Sequence, residues 1–338
     1  MAKKRHAKKK RPKTTEGKSG NESGATFDPR AAEVALFRLD QLLKQQEFES
    51  PDAVQSFLGR LDWNAVFAPE PDSMTALERA QDTMYDAWGA SGSRRIDLAR
   101  QALEISPDCA DAYVLLAEES ASTPEEALEF FRQGIDAGER ALSPHYFEDS
   151  VGRFWGIVAT RPYMRAREGF AHCLLYLDRT DEALPHFREM LRLNPQDNQG
   201  IRFTLLRVLL GQNQDDELSA LLNQYTDDQT ADWAYARALV MYRRQGESAA
   251  ANAALNAAFE VNPFVPLYVA GLRKLPDTPP EDVAPGEESE AITYVANYID
   301  SWAETPGALK WFVTVLHDAV EAADDEIDEQ AADEDEIN

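Results

Sequence analysis

From residue 31 to residue 320, apolar positions recur at spacings of three and four, the period of a helix with one buried face. In the stretch 31–46, Ala32, Leu36, Leu39 and Leu43 share such a face. The punctuation between stretches is that of helix ends. Ser50-Pro51 reads as an N-cap followed by proline at the first helical position. Thr123-Pro124-Glu125-Glu126 reads as a capping box, and Thr305-Pro306 repeats the logic. No run alternates with period two, so no sheet is expected.

The apolar pattern also repeats on a longer scale. Leu193-Asn194-Pro195 and Val261-Asn262-Pro263 lie 68 residues apart, two periods of 34, the tetratricopeptide spacing. With Pro195 closing a unit, Ala171 takes the small position of the first helix, and Ala183 and Phe187 take the small and bulky positions of the second. With Pro263 closing, Ala251, Leu255 and Ala258 fall on the matching second-helix sites. The unit between is degenerate: Leu218, Leu221 and Leu222 keep the apolar face, but Glu217 and Gln229 replace the alanine and proline. Upstream, Ala102 and Pro107 end one unit, and Tyr113, Leu116, Ala117, Ala127 and Phe131 form the next. Small residues let paired helices approach closely, and each pair keeps an uncovered apolar face, so pairs must stack. The expected fold is an all-α, tetratricopeptide-like α-solenoid of antiparallel helix pairs in a right-handed superhelix, with disordered termini.

The expected organisation follows. Residues 1–24 form a disordered basic tail, 25–94 an N-terminal helical region, and 95–275 the repeats, interrupted by an insertion at 141–162. Residues 276–289 form a proline-rich acidic linker, 290–320 capping helices sealed by Trp302 and Trp311, and 321–338 a disordered acidic tail. Particular runs then meet a known family. ALEISPDCADAYVLLAEE (102–119), TDEALPHFREML (180–191), VNPFVPLYV (261–269), the linker prolines, ESEAITY (288–294), Trp302 and GAL (307–309) keep an order and spacing that resemble the suppressor of tumorigenicity family. The resemblance covers roughly residues 95–312 and implies a tetratricopeptide-like fold. It implies no catalytic residues. Animal members associate with membranes through N-terminal hydrophobic segments. This chain has a basic tail there instead, so a membrane location is not carried over.

Charge sharpens the picture. The net charge is −26. Residues 1–24 hold nine Lys/Arg against two Glu, whereas residues 318–338 hold eleven Asp/Glu and no Lys/Arg. An acidic body repels nucleic acid and anionic lipid over most of its surface. The basic tail, with Lys3, Lys4, Arg5, Lys8, Lys9, Lys10, Arg11 and Lys13, is the one element suited to phosphates. It lacks interleaved aromatics for stacking on bases. Two cysteines, Cys109 and Cys173, make no disulfide framework and read as core residues of a reducing compartment, so a cytoplasmic location is expected. No stretch reaches 18 consecutive apolar residues, so no membrane span is expected.

Chemistry-bearing motifs are sparse. Gly17-Lys18-Ser19 resembles the end of a phosphate-binding loop, but Pro12 stands where that loop needs a glycine. His172, His186 and Cys173 lie on adjacent predicted helices, short of the ligand set a tetrahedral metal needs. No cofactor, metal or catalytic residue is therefore expected, and the chain does not read as an enzyme. The best candidate is the concave groove formed by the first helix of each pair. By register it presents Arg165, Glu168, His172 and Tyr176, then Arg202, Leu206 and Leu209, then Trp233, Ala236, Val240 and Arg243. The three arginines either take a partner's carboxylates bidentately or pair with the chain's own Asp/Glu. Trp155, Arg161 and Tyr163 of the insertion either wall the groove or patch the core. The leading expectation is a module binding a peptide or extended segment of a partner protein. The first alternative is docking on RNA or the ribosome through the basic tail, and the last is an enzyme of a kind that these motifs do not reveal.

Overall fold

Helices, with two short 3-10 turns, make up all the regular structure of the residues that the computed structural model describes, 29–61 and 74–337. The chain divides into two units, Met1–Glu70 and Pro71–Asn338. In the first, α1 (Pro29–Lys44) and α2 (Pro51–Leu58) are described. The Ser50 side chain caps α2, accepting from the Ala53 N–H at 3.2 Å, while Pro51 takes a position where an N–H would go unpaired. Along α1 the most buried positions are Glu33, Phe37 and Gln41, offset by one residue from the expected face, and Leu36 is exposed.

In the second unit the helices follow as α3 (Ala76–Gly89), α4 (Ser93–Ile105), α5 (Ala110–Glu119), α6 (Pro124–Ala141) and the short α7 (Pro144–Asp149). Then come α8 (Arg161–Tyr176), α9 (Thr180–Leu193), α10 (Ile201–Gly211), α11 (Asp215–Gln224), α12 (Ala231–Gln245) and α13 (Ala249–Val261). The short α14 (Val265–Val269), α15 (Glu288–Glu304) and α16 (Ala308–Ile337) complete the unit. Consecutive helices pack as pairs, α3 with α4, α5 with α6, α8 with α9, α10 with α11 and α12 with α13, and successive pairs stack. Ala102, Ala171, Ala183, Phe187, Ala251, Leu255 and Ala258, the marker positions, are all buried. Pro107, Pro195 and Pro263 each follow the C-cap residue of a second helix, where a helix cannot continue. The stack is a tetratricopeptide-like array. It starts at α3, so the boundary expected at residue 95 falls inside α4.

The degenerate unit has a physical explanation. Where the repeat pattern wants alanine, the Glu217 carboxylate takes two hydrogen bonds from Arg188 of the preceding pair, both at 2.6 Å. Thr123 caps α6 as expected, accepting from the Glu126 N–H at 3.2 Å, but the Glu126 carboxylate accepts from the Ser122 N–H at 2.7 Å instead of returning to Thr123. Thr305 does not cap α16 with its side chain: its hydroxyl donates to the Ser301 carbonyl at 2.7 Å.

Residues 141–162 contribute aromatic rings to the core. The rings of Phe147, Phe154 and Tyr163 meet with centroids 5.1–6.1 Å apart, and Phe154 and Tyr163 are buried. Tyr163 packs there because α6 and α8 run in close contact at glycines. A Cβ on Gly138 would sit 2.8 Å from the Tyr163 Cβ and 3.1 Å from its Cα, neither of which can swing aside. Alanine usually stabilises a helix over glycine by up to about 1 kcal/mol. Gly138→Ala is expected to do the opposite, destabilising by about 1–3 kcal/mol in urea unfolding. Gly211→Ala, with nothing within 4 Å, is the control and keeps the ordinary sign.

Trp302 and Trp311 are fully buried, their rings stacked at 6.3 Å. Trp302 Nε1 donates to the Tyr294 hydroxyl at 2.8 Å, and Trp311 Nε1 donates to Asn252 Oδ1 at 2.7 Å. Gly307 between α15 and α16 has φ +82°, and a Cβ there would meet the Tyr242 hydroxyl at 2.5 Å. Beyond it, α16 continues as helix to Ile337, through the stretch expected to be an unstructured tail from residue 321. No glycine or proline lies beyond Gly307, and alanine and glutamate, strong helix formers, recur. The basic tail, with Lys3 to Lys13 and Gly17-Lys18-Ser19, lies outside the described residues.

Cys109 is buried and its thiol is pushed up to about 12, first by burial and then by the Asp111 carboxylate. Cys173 is less buried and shifted upward by the same cause. Titration with a disulfide reagent at pH 8 should label Cys109 only after unfolding. Rapid labelling of both thiols in the folded chain would contradict this environment.

Candidate interaction surface

The three arginines expected to line a groove are all bound to the chain's own carboxylates. Arg165 on α8 donates from Nε and Nη2 to the two oxygens of Asp111 on α5, at 2.7 and 2.6 Å. Asp111 has no exposed surface and the Arg165 side chain only 11%. Gln81 of α3 donates to the same carboxylate at 2.7 Å, and the Arg165 guanidinium lies 5.2 Å from the Trp88 ring centroid. Arg202 donates to Asp197 at 3.0 Å and Asp228 at 2.9 Å, beneath the rings of Phe203, Tyr225 and Trp233 at 4.3, 5.5 and 5.7 Å. Arg243 donates to Asp215 at 3.0 Å, to the Leu210 carbonyl at 3.0 Å and to the Thr305 hydroxyl at 3.0 Å. These guanidiniums cross-link the array. Of the expected groove positions, Leu206, Leu209, Trp233, Ala236 and Val240 are also buried.

For the buried positions on α10 and α12, the physical reason is the position of α15. It packs on α10 and α12, the first helices of two successive pairs, and so lies on the face expected to hold a partner. The hold is polar as well as apolar. Glu290, buried, accepts from the Ala231 N–H at the start of α12 at 3.0 Å, from Asn262 Nδ2 at 2.8 Å and from the Gly286 N–H at 2.8 Å. The Tyr298 hydroxyl donates to Asp232 at 2.6 Å, and Arg207 Nη1 donates to Asn297 Oδ1 at 3.3 Å. Burial raises the Asp232 carboxyl above its ordinary value, against the Tyr298 hydrogen bond.

Beside α15 the α8 end of the face stays accessible. Tyr176 is 79% exposed, and His172, one turn earlier, is exposed with its ring edge-on to Phe187 at 5.4 Å. Desolvation, then the charge of Arg207, lowers the His172 pKa below its ordinary value. Arg207 is exposed on α10. Glu168 is half-buried, accepts from Gln199 Nε2, and is raised by burial. The sequence reading missed Arg207 and Asp197. Asp197 was locally legible: two residues after Pro195, it accepts from the N–H groups of Ile201 and Arg202 at 2.7 and 3.0 Å and so caps α10.

Trp155 and Arg161 line a separate pocket of about 610 Å³ with Arg153, Asn194, Gln196 and Asn198. Arg161 Nε donates to the Trp155 carbonyl at 2.9 Å, and its guanidinium stacks on that indole at 5.3 Å. Tyr163, expected beside them, is buried. Among the described residues, the one group placed to share a metal ion is His317, Asp318 and Glu321 on α16, all exposed, with ligand atoms within 4.8 Å of one another; His172, Cys173 and His186 are not in it.

Stacked antiparallel helix pairs, with small residues at the crossings and proline after the second helix, define a helical-repeat protein of the tetratricopeptide type. The family described as ST7 protein matches residues 55–330, and the chain belongs to that family. Its relatives include the suppressor of tumorigenicity 7 protein-like of Homo sapiens, 33% identical over 265 residues, 70% of this chain and 45% of that protein. The Rattus norvegicus protein of the same description is 32% identical over 282 residues, 75% of this chain and 48% of its own length. The chain thus spans about half the length of the curated relatives it matches. Among solved structures, YrrB, described as a TPR protein with an unusual peptide-binding site, aligns with 58% of this chain and 90% of its own, at 17% identity and a TM-score of 0.38. No helix among the described residues is long and apolar enough to cross a membrane.

Proposed function

We infer that the chain is a protein-interaction module that takes an extended segment of a partner on the first-helix face beside α15, over α8 and α10. The observation that carries this reading is Tyr176, 79% exposed one turn from the exposed His172. A tyrosine offers a large rigid contact at low entropy cost, which is why the residue concentrates in binding surfaces. Arg207 on the neighbouring first helix adds a cation for a carboxylate or a peptide carbonyl. Arg165, Arg202 and Arg243 do not contact the partner in this reading; they hold the helices that present Tyr176 and Arg207. The module binds and does not catalyse.

Selection from a library of extended peptides by the full chain tests it. Tyr176→Ala and Arg207→Glu should each weaken the selected peptides about tenfold or more. Asp216→Lys, exposed on α11, should leave them unchanged. Selected peptides indifferent to both substitutions would overturn the reading.

A further inference from the structure

The longest helix carries two apolar lines. One, Ala308, Trp311, Phe312 and Val315, is buried against the array. The other is Leu309, Val313, Leu316 and Val320, at spacings of four, three and four, with Ala323 continuing the series. On a helix this line lies about a third of a turn from the buried one. Leu309 and Leu316 are half-buried, whereas Val313 is 46% and Val320 53% exposed. Single exposed apolar residues need no explanation, but a heptad-spaced line is the seam that a second helix fills.

Charge selects the occupant. Residues 318–338 hold eleven Asp/Glu and no Lys/Arg, and the backbone stays helical to Ile337. Carboxylates near a helix C-terminus oppose the macrodipole and repel one another at i, i+4. A second copy on this seam would double that repulsion. A cationic helix relieves it and covers the apolar line at the same time.

We propose that the seam Leu309–Val313–Leu316–Val320 of α16, with the exposed carboxylates of Asp318 and Glu321 beside it, docks a basic amphipathic helix of a partner protein. This surface is distinct from the one holding Tyr176.

The probe is a synthetic peptide of about three heptads, leucine at a and d and lysine elsewhere, with a scrambled peptide of identical composition as control. The full chain should bind the amphipathic peptide at least about tenfold tighter than the scrambled one, with affinity falling as salt rises. Val313→Asp/Val320→Asp should remove at least about tenfold, and Asp318→Lys/Glu321→Lys, which keeps the apolar line, should weaken binding and flatten its salt dependence. Circular dichroism of each variant checks its helix content; if the valine variant unfolds, the charge variant decides. Tyr176→Ala should leave the peptide's affinity unchanged. Equal affinity for both peptides, or indifference to the substitutions, would overturn the proposal. So would concentration-dependent dimers lost in the valine variant, which make a second copy the occupant. A tenfold gain on deleting residues 1–24 would overturn it in favour of the chain's own basic segment.

Discussion

Asp111→Ala is expected to destabilise the chain by about 3–5 kcal/mol, the largest effect of any single polar substitution considered. The carboxylate is fully buried, and it receives both arms of the Arg165 fork and the Gln81 amide. Removing it takes the bidentate carboxylate from a guanidinium that has only 11% of its surface in water. The pair's net value against an apolar isostere is a different and smaller quantity, because both charges were desolvated to make it. Asp111→Leu/Arg165→Met should therefore be less destabilised than Asp111→Leu alone. Urea unfolding measures both, read as a shift in midpoint at constant slope. A single substitution within about 0.5 kcal/mol of the parent would mean that Arg165 finds water or another partner.

Glu290→Ala should cost nearly as much, about 3–5 kcal/mol, by a different route. No cation neutralises this carboxylate in the contacts described; it satisfies three donors from three segments, the first N–H of α12, the Asn262 amide and the Gly286 N–H. Each donor left unpaired in the interior costs about 1–3 kcal/mol. Glu290→Gln keeps one good acceptor and should fall between parent and alanine. Amide hydrogen exchange locates the damage: protection should drop at Ala231 and Gly286 and along α15, with α3 to α6 unaffected. Uniform loss of protection would show that α15 is not held locally by this residue.

The three arginines show why the array was legible and its face was not. Ala171, Ala183 and Phe187 could be assigned because a 34-residue period and helical spacing operate over a few turns, and their burial is common to every stacked pair. Asp197 obeys the same local logic, as a cap a few residues from the N–H groups it accepts. The partners of Arg165 and Arg243 lie 54 and 28 residues away, where pattern carries no information. Both outcomes for those arginines, partner carboxylates or the chain's own, were chemically equivalent from the sequence. Only the arrangement of Asp111, Asp197, Asp228 and Asp215 decided between them.

By itself, the sequence determined the helices, their pairing, the prolines that end each unit and the family. The first three follow from local propensity and a short period in the apolar positions, the family from the order and spacing of particular runs that resemble it. The tertiary structure decided what covers part of the inner face. α15 reaches back across 59 residues to Ala231 and 90 to Arg207 and lies on α10 and α12, covering ground that register alone assigned to a partner. That placement depends on loop closure and on burial of Tyr294, Tyr298 and Trp302 between elements distant in the chain. Neither leaves a periodic trace in the sequence.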